Sequence, residues 1–215
     1  MTKLSAEREA LAQPVFRRVF MKEIVLASKS PRRKELLKRF IESFEIICDD
    51  SEEVSIQGEK PFDMVMRLAG EKVSNVSKLT DKDCLIIGAD TVVVLDEKVL
   101  GKPSDMEEAF DMLYSLSGRE HSVYTGIAVM DTETGKCVTD FEETKVKFRT
   151  LCIEEIKKYI DSGEPMDKAG AYGIQDLGAL LVEGISGDYF NVVGLPLCKL
   201  NNLLKKEFSF DLMNV

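Results

Sequence analysis

The sequence of 215 residues has one histidine, His121, and no two cysteines in a C-x-x-C arrangement. A single histidine excludes most histidine-based metal sites, and any Ser-His or Cys-His nucleophile would depend on His121 alone. The five cysteines are odd in number and widely spaced, which indicates reduced, intracellular thiols rather than a disulfide framework or a zinc site. We therefore expect the chemistry of this chain to depend on carboxylates, lysines, arginines or a metal ion.

Long apolar runs and an excess of basic residues are also missing. The longest apolar stretch, residues 84–95, is far shorter than the ~20 residues that a membrane-spanning helix needs. The formal net charge of −9 and the sequence pI of about 4.9 argue against a general nucleic-acid surface. The loops G-x-G-x-x-G and G-x-x-x-x-G-K-[ST] are absent as well. We therefore expect neither a membrane nor a nucleic acid as a partner, and any positively charged site to be local.

The length of the chain fits one sizeable domain better than two independent ones. Residues 1–20 contain Glu7 and Glu9 and lack a continuous apolar core, so they make a poor signal peptide, while a transit peptide stays open as an alternative. We predict a dispensable N-terminal extension over residues 1–20 and a single domain over residues 21–215.

Hydrophobic periodicity and turn residues predict a mixed order of strands and helices. The predicted strands are 23–27, 44–48, 84–95, 120–131 and 137–149, followed by a hairpin over 179–194 that turns at Ser186 and Gly187. The predicted helices are 31–41, 61–79, 105–118, 153–162 and 195–207, and the glycine-rich segment 164–178 is predicted to be a functional loop. Since strands and helices do not alternate strictly, we predict an α/β (mixed α+β) domain with a mixed twisted sheet flanked by helices, rather than a Rossmann fold.

Two arginines stand in the first turn of the helix predicted at residue 31. Ser30 is the expected N-cap and Pro31 suits the first helical position, which places Arg32 and Arg33 near the positive end of the helix dipole. Cations are disfavoured there unless an anion is bound, and a strand end followed by a helix N-terminus is a natural phosphate site. Two solvated arginines paired with Glu35 or another acid remain the alternative.

Other polar residues occupy positions that fit either an ordinary structural role or a role in a functional site. Asp90 interrupts an apolar strand, so its carboxylate needs a cation, a metal or hydrogen-bond donors. Lys72 lies near the apolar side of its helix, and Asp167 and Lys168 form a plain ion pair in the simplest interpretation. Together these residues supply the cations and acids that a phosphate chain bound with a divalent metal requires.

Five motifs occur in one order: LASKSPRRKELL, GADTVV, GKP, EPMDKAGAYGIQ and GDYFNVVGLP. On these motifs the chain resembles the Maf family of nucleoside triphosphate pyrophosphatases, whose fold is similar to that of inosine-triphosphatase-like enzymes. The resemblance extends from about residue 23 to residue 204. It implies hydrolysis of a nucleoside triphosphate to the monophosphate and pyrophosphate, dependence on Mg²⁺ or Mn²⁺, a cytoplasmic location and a homodimer.

The segment DKAGAYGIQ is similar to that of the dTTP/UTP branch, so dTTP and UTP are the expected substrates, with CTP and modified pyrimidine nucleotides as further candidates. The resemblance implies that Asp90 is the catalytic acid–base residue and that Glu53 and Asp90 are associated with the metal. It implies substrate binding by Ser28, Arg32, Arg33, Lys72, Thr91, Lys102 and Gln175. Where the family often has glycine after the glutamine, this sequence has Asp176.

Two other functions stay open at this point. One is a nucleotide-binding regulator of cell division that does not turn its ligand over. The other is a phosphatase that releases orthophosphate from another ester.

Overall fold

The computed structural model describes residues 22–51, 54 and 56–214 of the chain. The predicted extension, residues 1–20, and the predicted metal ligand Glu53 lie outside the described residues. In this part of the chain, every helix is too short or too polar to cross a bilayer.

The described residues form one mixed sheet of seven strands, with the order β2-β1-β3-β5-β6-β7 and with β4 paired to β3. The strands are β1 (Glu23–Ala27), β2 (Glu45–Ile46), β3 (Cys84–Leu95), β4 (Lys98–Leu100), β5 (Glu120–Asp131), β6 (Cys137–Phe148) and β7 (Val182–Ser186). β1 is parallel to β2 and β3, whereas all other pairs are antiparallel. The predicted mixed sheet in an α/β domain is confirmed.

Helices cover both faces of this sheet. They are α1 (Pro31–Lys38), α2 (Pro61–Ser77), α3 (Met106–Leu116), α4 (Ile153–Asp161), α5 (Tyr189–Val193) and α6 (Leu197–Phe208). α1 and α6 pack on one face of β1, β3 and β5, while α2 packs on the opposite face. α3 and α4 enclose a second apolar cluster at the far ends of β3, β5 and β6.

The hairpin predicted over residues 179–194 is wrong in its second half. Residues 182–186 do form a strand, but residues 189–193 form the short helix α5. Asp188 caps this helix by accepting a hydrogen bond from the backbone N–H of Phe190 at 2.8 Å, and Gly194 ends it with a φ of 114°. The fully buried amide of Asn191 donates to the carbonyl of Val123, a contact that local sequence patterns do not indicate.

Three smaller differences concern element bounds. The helix predicted to reach residue 41 ends at Lys38, and the strand predicted over 44–48 contains only Glu45 and Ile46. Residues 98–100, which lie outside every predicted strand and helix, form β4. The segment 164–178 contains short 3-10 turns and no strand, which agrees with its prediction as a loop.

Two glycines let α2 lie directly against the sheet. A Cβ atom on Gly126 of β5 would lie 2.2 Å from the carbonyl oxygen of Val65, and one on Gly88 of β3 would lie 2.7 Å from a methyl group of Val73. Because neither glycine has a side chain, the backbone of α2 comes close enough for Lys72 to contact β3.

β1 is much shorter than β3, and this difference creates an open stretch of sheet edge. Ala27, the last residue of β1, pairs with Gly88, while β4 begins to pair with β3 only at Val93. Ligands of open α/β sheets commonly bind beyond the carboxyl end of a strand, where the chain turns into a helix. Residues 90–92 of β3 line such a space together with the loop from β1 to α1.

Candidate functional site

A cavity of about 780 Å³ lies beyond the end of β1. All eight predicted site residues that the structure describes line it, although they come from widely separated parts of the chain: Ser28, Arg32, Arg33, Lys72, Asp90, Thr91, Lys102 and Gln175. The described lining includes six lysine and arginine residues and four aspartates, so cations outnumber acids there in a chain whose net charge is −9. The cavity is the local positively charged site that the sequence led us to expect.

Asp90 and Lys72 form an ion pair at the cavity wall. Asp90 faces α2 from β3, and its side chain is only 11% exposed. The ammonium of Lys72 donates to Oδ1 of Asp90 at 2.5 Å, whereas Oδ2 makes no hydrogen bond with a described residue. Lys72 therefore supplies the cation that a buried carboxylate requires, and it can do so because the two glycines allow α2 to lie close to the sheet.

Arg33 binds protein backbone rather than solvent. Its guanidinium donates to the carbonyl oxygens of Ala89 and Gly194, each at 2.8 Å. It also donates to the hydroxyls of Thr91 at 2.9 Å and Ser28 at 3.3 Å. Ala89 lies on the stretch of β3 that neither β1 nor β4 covers, so Arg33 satisfies an edge carbonyl there. One arginine thus joins the loop after β1, the strand β3 and the turn after α5.

A chain of hydrogen bonds leads from Arg33 through the hydroxyls of Thr91 and Thr125 to the carbonyl of Asn191. The groups at its two ends determine which hydroxyl donates to which. Arg33 can only donate to Thr91, and Thr125 donates to the carbonyl oxygen of Asn191 at 2.9 Å. Because the hydrogen of Thr125 is used in this way, the 2.9 Å contact between Thr91 and Thr125 has Thr91 as its donor. Toward a ligand in the cavity, the hydroxyl of Thr91 can therefore act only as an acceptor.

Arg32 has a different environment from Arg33. Its Nη1 lies 3.2 Å from Oδ2 of Asp167, and Oδ1 of the same carboxylate lies 2.7 Å from Nζ of Lys168. Partial burial by itself would raise the pKa of Asp167, but the hydrogen bond from Lys168 and the charges of both cations hold the pKa below its ordinary value. The predicted pair of Asp167 with Lys168 is confirmed, and Arg32 is a second partner that the sequence did not indicate.

The remaining predicted residues complete the wall. Ser28 is 9% exposed and accepts from the backbone N–H of Ser30 at 3.2 Å, while Ser30 caps α1 as predicted. Lys102 is exposed on the segment after β4, and Gln175 lies in the loop 164–178. Neither side chain is hydrogen-bonded to a described residue, so the ammonium of Lys102 and the amide of Gln175 are available to a ligand.

Charged lining residues between β2 and α2 and in the loop after β1 were not predicted from the sequence. Asp50 pairs with Lys29, and Oδ2 of Asp49 accepts from Nδ2 of Asn75 at 2.7 Å. The run DD in the segment after β2 was the available signal, but charge runs are common on solvated surfaces.

Carboxylate oxygens suited to a hard divalent cation are present at the cavity. Asp49, Asp50 and Asp90 line it, and one oxygen of Asp90 has no protein donor among the described residues. A separate described cluster, Asp83, Asp131 and Glu133, holds the ammonium of Lys22 at 2.6–2.9 Å, so a lysine already occupies the space between these carboxylates.

Comparisons with known proteins agree with the motifs. The family model described as "Maf-like protein" matches residues 23–207. A curated "dTTP/UTP pyrophosphatase" of Thermoanaerobacter sp. is 54% identical over 191 residues, which cover 89% of this chain and 100% of that protein. A protein of the same name from Clostridioides difficile is 53% identical over 189 residues, covering 88% of this chain and 97% of its own.

Among solved structures, a nucleoside-triphosphatase described as a dITP/XTP pyrophosphatase, from Mycobacterium abscessus, aligns with 60% of this chain and 75% of its own. The sequence identity is 18% and the TM-score is 0.41.

Proposed function

Since the chain belongs to the Maf family, we propose that it hydrolyses dTTP or UTP to the nucleoside monophosphate and pyrophosphate. The relatives that are 53–54% identical over most of their length carry the name dTTP/UTP pyrophosphatase. The observation that carries the proposal is the single cavity that Asp90 lines together with cations from four separate segments of the chain. A triphosphate is the kind of small, highly charged anion that such a wall binds.

In the proposed reaction, Asp90 orients a water molecule and accepts a proton from it while the water oxygen bonds to the α-phosphorus. The bond between the α-phosphorus and the bridging oxygen to the β-phosphorus breaks, and pyrophosphate leaves with the electron pair. Lys72 holds the carboxylate of Asp90 in place through the 2.5 Å contact. Arg32 and Lys102 stabilise the charge that develops on the phosphate oxygens, which supplies most of the rate in phosphoryl chemistry.

We propose that Arg33 and Ser28 shape the phosphate-facing wall, and direct contact of Arg33 with a phosphate stays a prediction. Gln175 and Thr91 are proposed to contact the base. The amide of Gln175 offers both a donor and an acceptor, and Thr91 offers an acceptor, a set that suits the N–H and carbonyl groups of uracil or thymine.

A divalent cation, Mg²⁺ or Mn²⁺, fits the oxygen donors at this cavity, and we propose that Asp90 and Glu53 hold it. When bound, the ion neutralises charge on the phosphate oxygens. The proposal also includes a homodimer in the cytoplasm.

The N-terminal extension is proposed to take no part in folding or catalysis. Because the family match begins at residue 23, a chain lacking residues 1–20 should keep its activity and its melting temperature. Loss of either on truncation would contradict this proposal.

One assay separates this function from the two others left open by the sequence. The full chain is incubated with each common nucleoside triphosphate and Mg²⁺ or Mn²⁺, and the phosphorus-containing products are identified. We expect pyrophosphate and the monophosphate, with dTTP and UTP preferred. Orthophosphate as the direct product would favour a phosphatase, and binding without any product would favour a regulator. A clear preference for GTP would contradict the proposed base contacts.

A further inference from the structure

The segment 173–178 has Gln175 near its centre. Its backbone is hydrogen-bonded to the side chains of Tyr159 and Glu164, neither of which lines the cavity. On one side of Gln175, the backbone N–H of Gly173 donates to the hydroxyl of Tyr159 at 3.2 Å. On the other side, the backbone N–H of Leu177 donates to the carboxylate of Glu164 at 3.1 Å.

Tyr159 and Glu164 are themselves linked. The hydroxyl of Tyr159 donates to Oε1 of Glu164 at 2.9 Å, and the same oxygen accepts from the backbone N–H of Gly178 at 3.2 Å. Tyr159 is 4% exposed on α4, and burial, together with the neighbouring carboxylate of Glu164, raises the pKa of its hydroxyl. The hydroxyl therefore stays protonated, accepts from one end of the segment and donates to the group that holds the other end.

The two ends of the segment also touch each other. A Cβ atom on Gly178 would lie 1.9 Å from the carbonyl oxygen of Gly173 and 2.8 Å from the hydroxyl of Tyr159. Between these ends Asp176 has a φ of 51°, in the left-handed region that non-glycine residues adopt at an energetic cost. The segment is thus a closed loop with a strained residue next to Gln175, and such a conformation persists only where its surroundings fix it.

We propose that Tyr159 and Glu164 are positioning residues for base recognition, because they fix the backbone on both sides of Gln175. This inference rests on the proposed function, since it concerns how the same cavity distinguishes uracil and thymine from other bases. Neither residue contacts the substrate. Both residues fix the backbone on either side of Gln175 and so determine where its side-chain amide lies.

The test uses Tyr159→Phe, which removes one hydroxyl and keeps the ring in the core, and Glu164→Gln, which keeps the shape of the side chain. The quantity measured is the ratio of kcat/KM for UTP to kcat/KM for CTP and GTP. Losing a hydrogen bond of ordinary strength should lower this ratio about 2- to 10-fold. Most of the change should appear as a higher KM for UTP, because Asp90 and its ion pair with Lys72 are untouched.

A purely structural role is separated from a positioning role in two ways. Glu155→Gln alters another carboxylate that accepts a backbone N–H, that of Cys152 at 2.9 Å, at the start of α4. It should lower stability and leave the base ratio unchanged. In a Gln175→Ala background, Tyr159→Phe should lower the base ratio no further.

Amide hydrogen exchange followed by mass spectrometry gives a readout that needs no substrate. In Tyr159→Phe, a peptide covering residues 172–180 should exchange faster than in the wild-type chain, while peptides from β3 and β5 should not. Unchanged exchange in this peptide would overturn the inference, as would an unchanged base ratio in both variants when exchange is faster. A wild-type chain that released no pyrophosphate from any triphosphate would instead refute the proposed function, and base recognition with it.

Discussion

Arg32 and Arg33 are neighbours in the sequence, yet their guanidinium groups have different tasks in the structure. Arg33 donates to two backbone carbonyls and two hydroxyls of the protein. Arg32 pairs with one aspartate, Asp167, at the cavity. The sequence predicted both positions and the helix N-terminus beside them. It could not separate their tasks, since the carbonyl of Gly194 is 161 residues away from Arg33 along the chain.

Substitution of the two arginines should therefore have opposite profiles. Arg32→Ala should lower kcat/KM about 10- to 100-fold, as expected for a lost charge-assisted hydrogen bond to phosphate, and should leave the urea midpoint nearly unchanged. Arg33→Met should lower the free energy of unfolding by about 2–4 kcal/mol, because it leaves the carbonyls of Ala89 and Gly194 without a donor. Equal losses of stability in the two variants would contradict this division.

Asp90→Asn preserves the size of the side chain and removes its charge. Because the carboxylate is the proposed base, we expect kcat to fall at least about 100-fold. Circular dichroism and a denaturant titration serve as the control for folding. Turnover within a few-fold of the wild-type value would exclude Asp90 as the base.

At the scale of secondary structure, the unit from β1 to α1 is encoded locally. An apolar run, the N-cap Ser30 and Pro31 at the first helical position predicted its strand, loop and helix start, and the structure has all three. α5 could not be predicted in the same way. Tyr-Phe-Asn-Val-Val has the composition of a strand, and it is helical because Asp188 caps it and Asn191 is buried against Val123.

The close approach of α2 to the sheet gives a prediction about two glycines. Gly126→Ala would place a Cβ atom 2.2 Å from the backbone of Val65 and so push α2 away from β5. The free energy of unfolding should fall by roughly 1–3 kcal/mol or more. Activity should fall as well, because Lys72 moves with the helix.

Gly184→Ala in β7 is the matched control, since a Cβ atom there meets nothing within 4 Å. We expect it to leave both stability and activity nearly unchanged. If Gly126→Ala behaved like this control in a denaturant titration and a pyrophosphate assay, the account of α2 packing would be wrong.

At the scale of the whole molecule, His121 makes stability depend on pH. It is 3% exposed between Phe148 and Tyr172, with Nε2 at 2.7 Å from the hydroxyl of Tyr172 and with Nδ1 lacking a partner among the described residues. Burial lowers the pKa of His121 from 6.5 to about 4. Between these two values the unfolded chain binds a proton that the folded chain does not, so stability falls as the pH falls through this window.

The resulting loss in the free energy of unfolding approaches roughly 3 kcal/mol near pH 4 and vanishes above about pH 7. Since His121 is the single histidine, the comparison with His121→Phe isolates it. The free energy of unfolding of the wild-type chain should fall more steeply between pH 7 and pH 5 than that of the variant. Parallel curves would show that the buried imidazole is not responsible.

The cation-rich cavity in an otherwise acidic molecule has a consequence for the size of anion that can bind. The net charge of −9 acts at long range, whereas the lysines and arginines of the cavity wall act over a few ångströms. A long polyanion must lie along the acidic exterior and is repelled over most of its length. A single triphosphate in the space beyond β1 would instead lie against a wall on which cations outnumber acids. We therefore expect the molecule to discriminate against long polyanions by electrostatic repulsion, independently of any contact with a base.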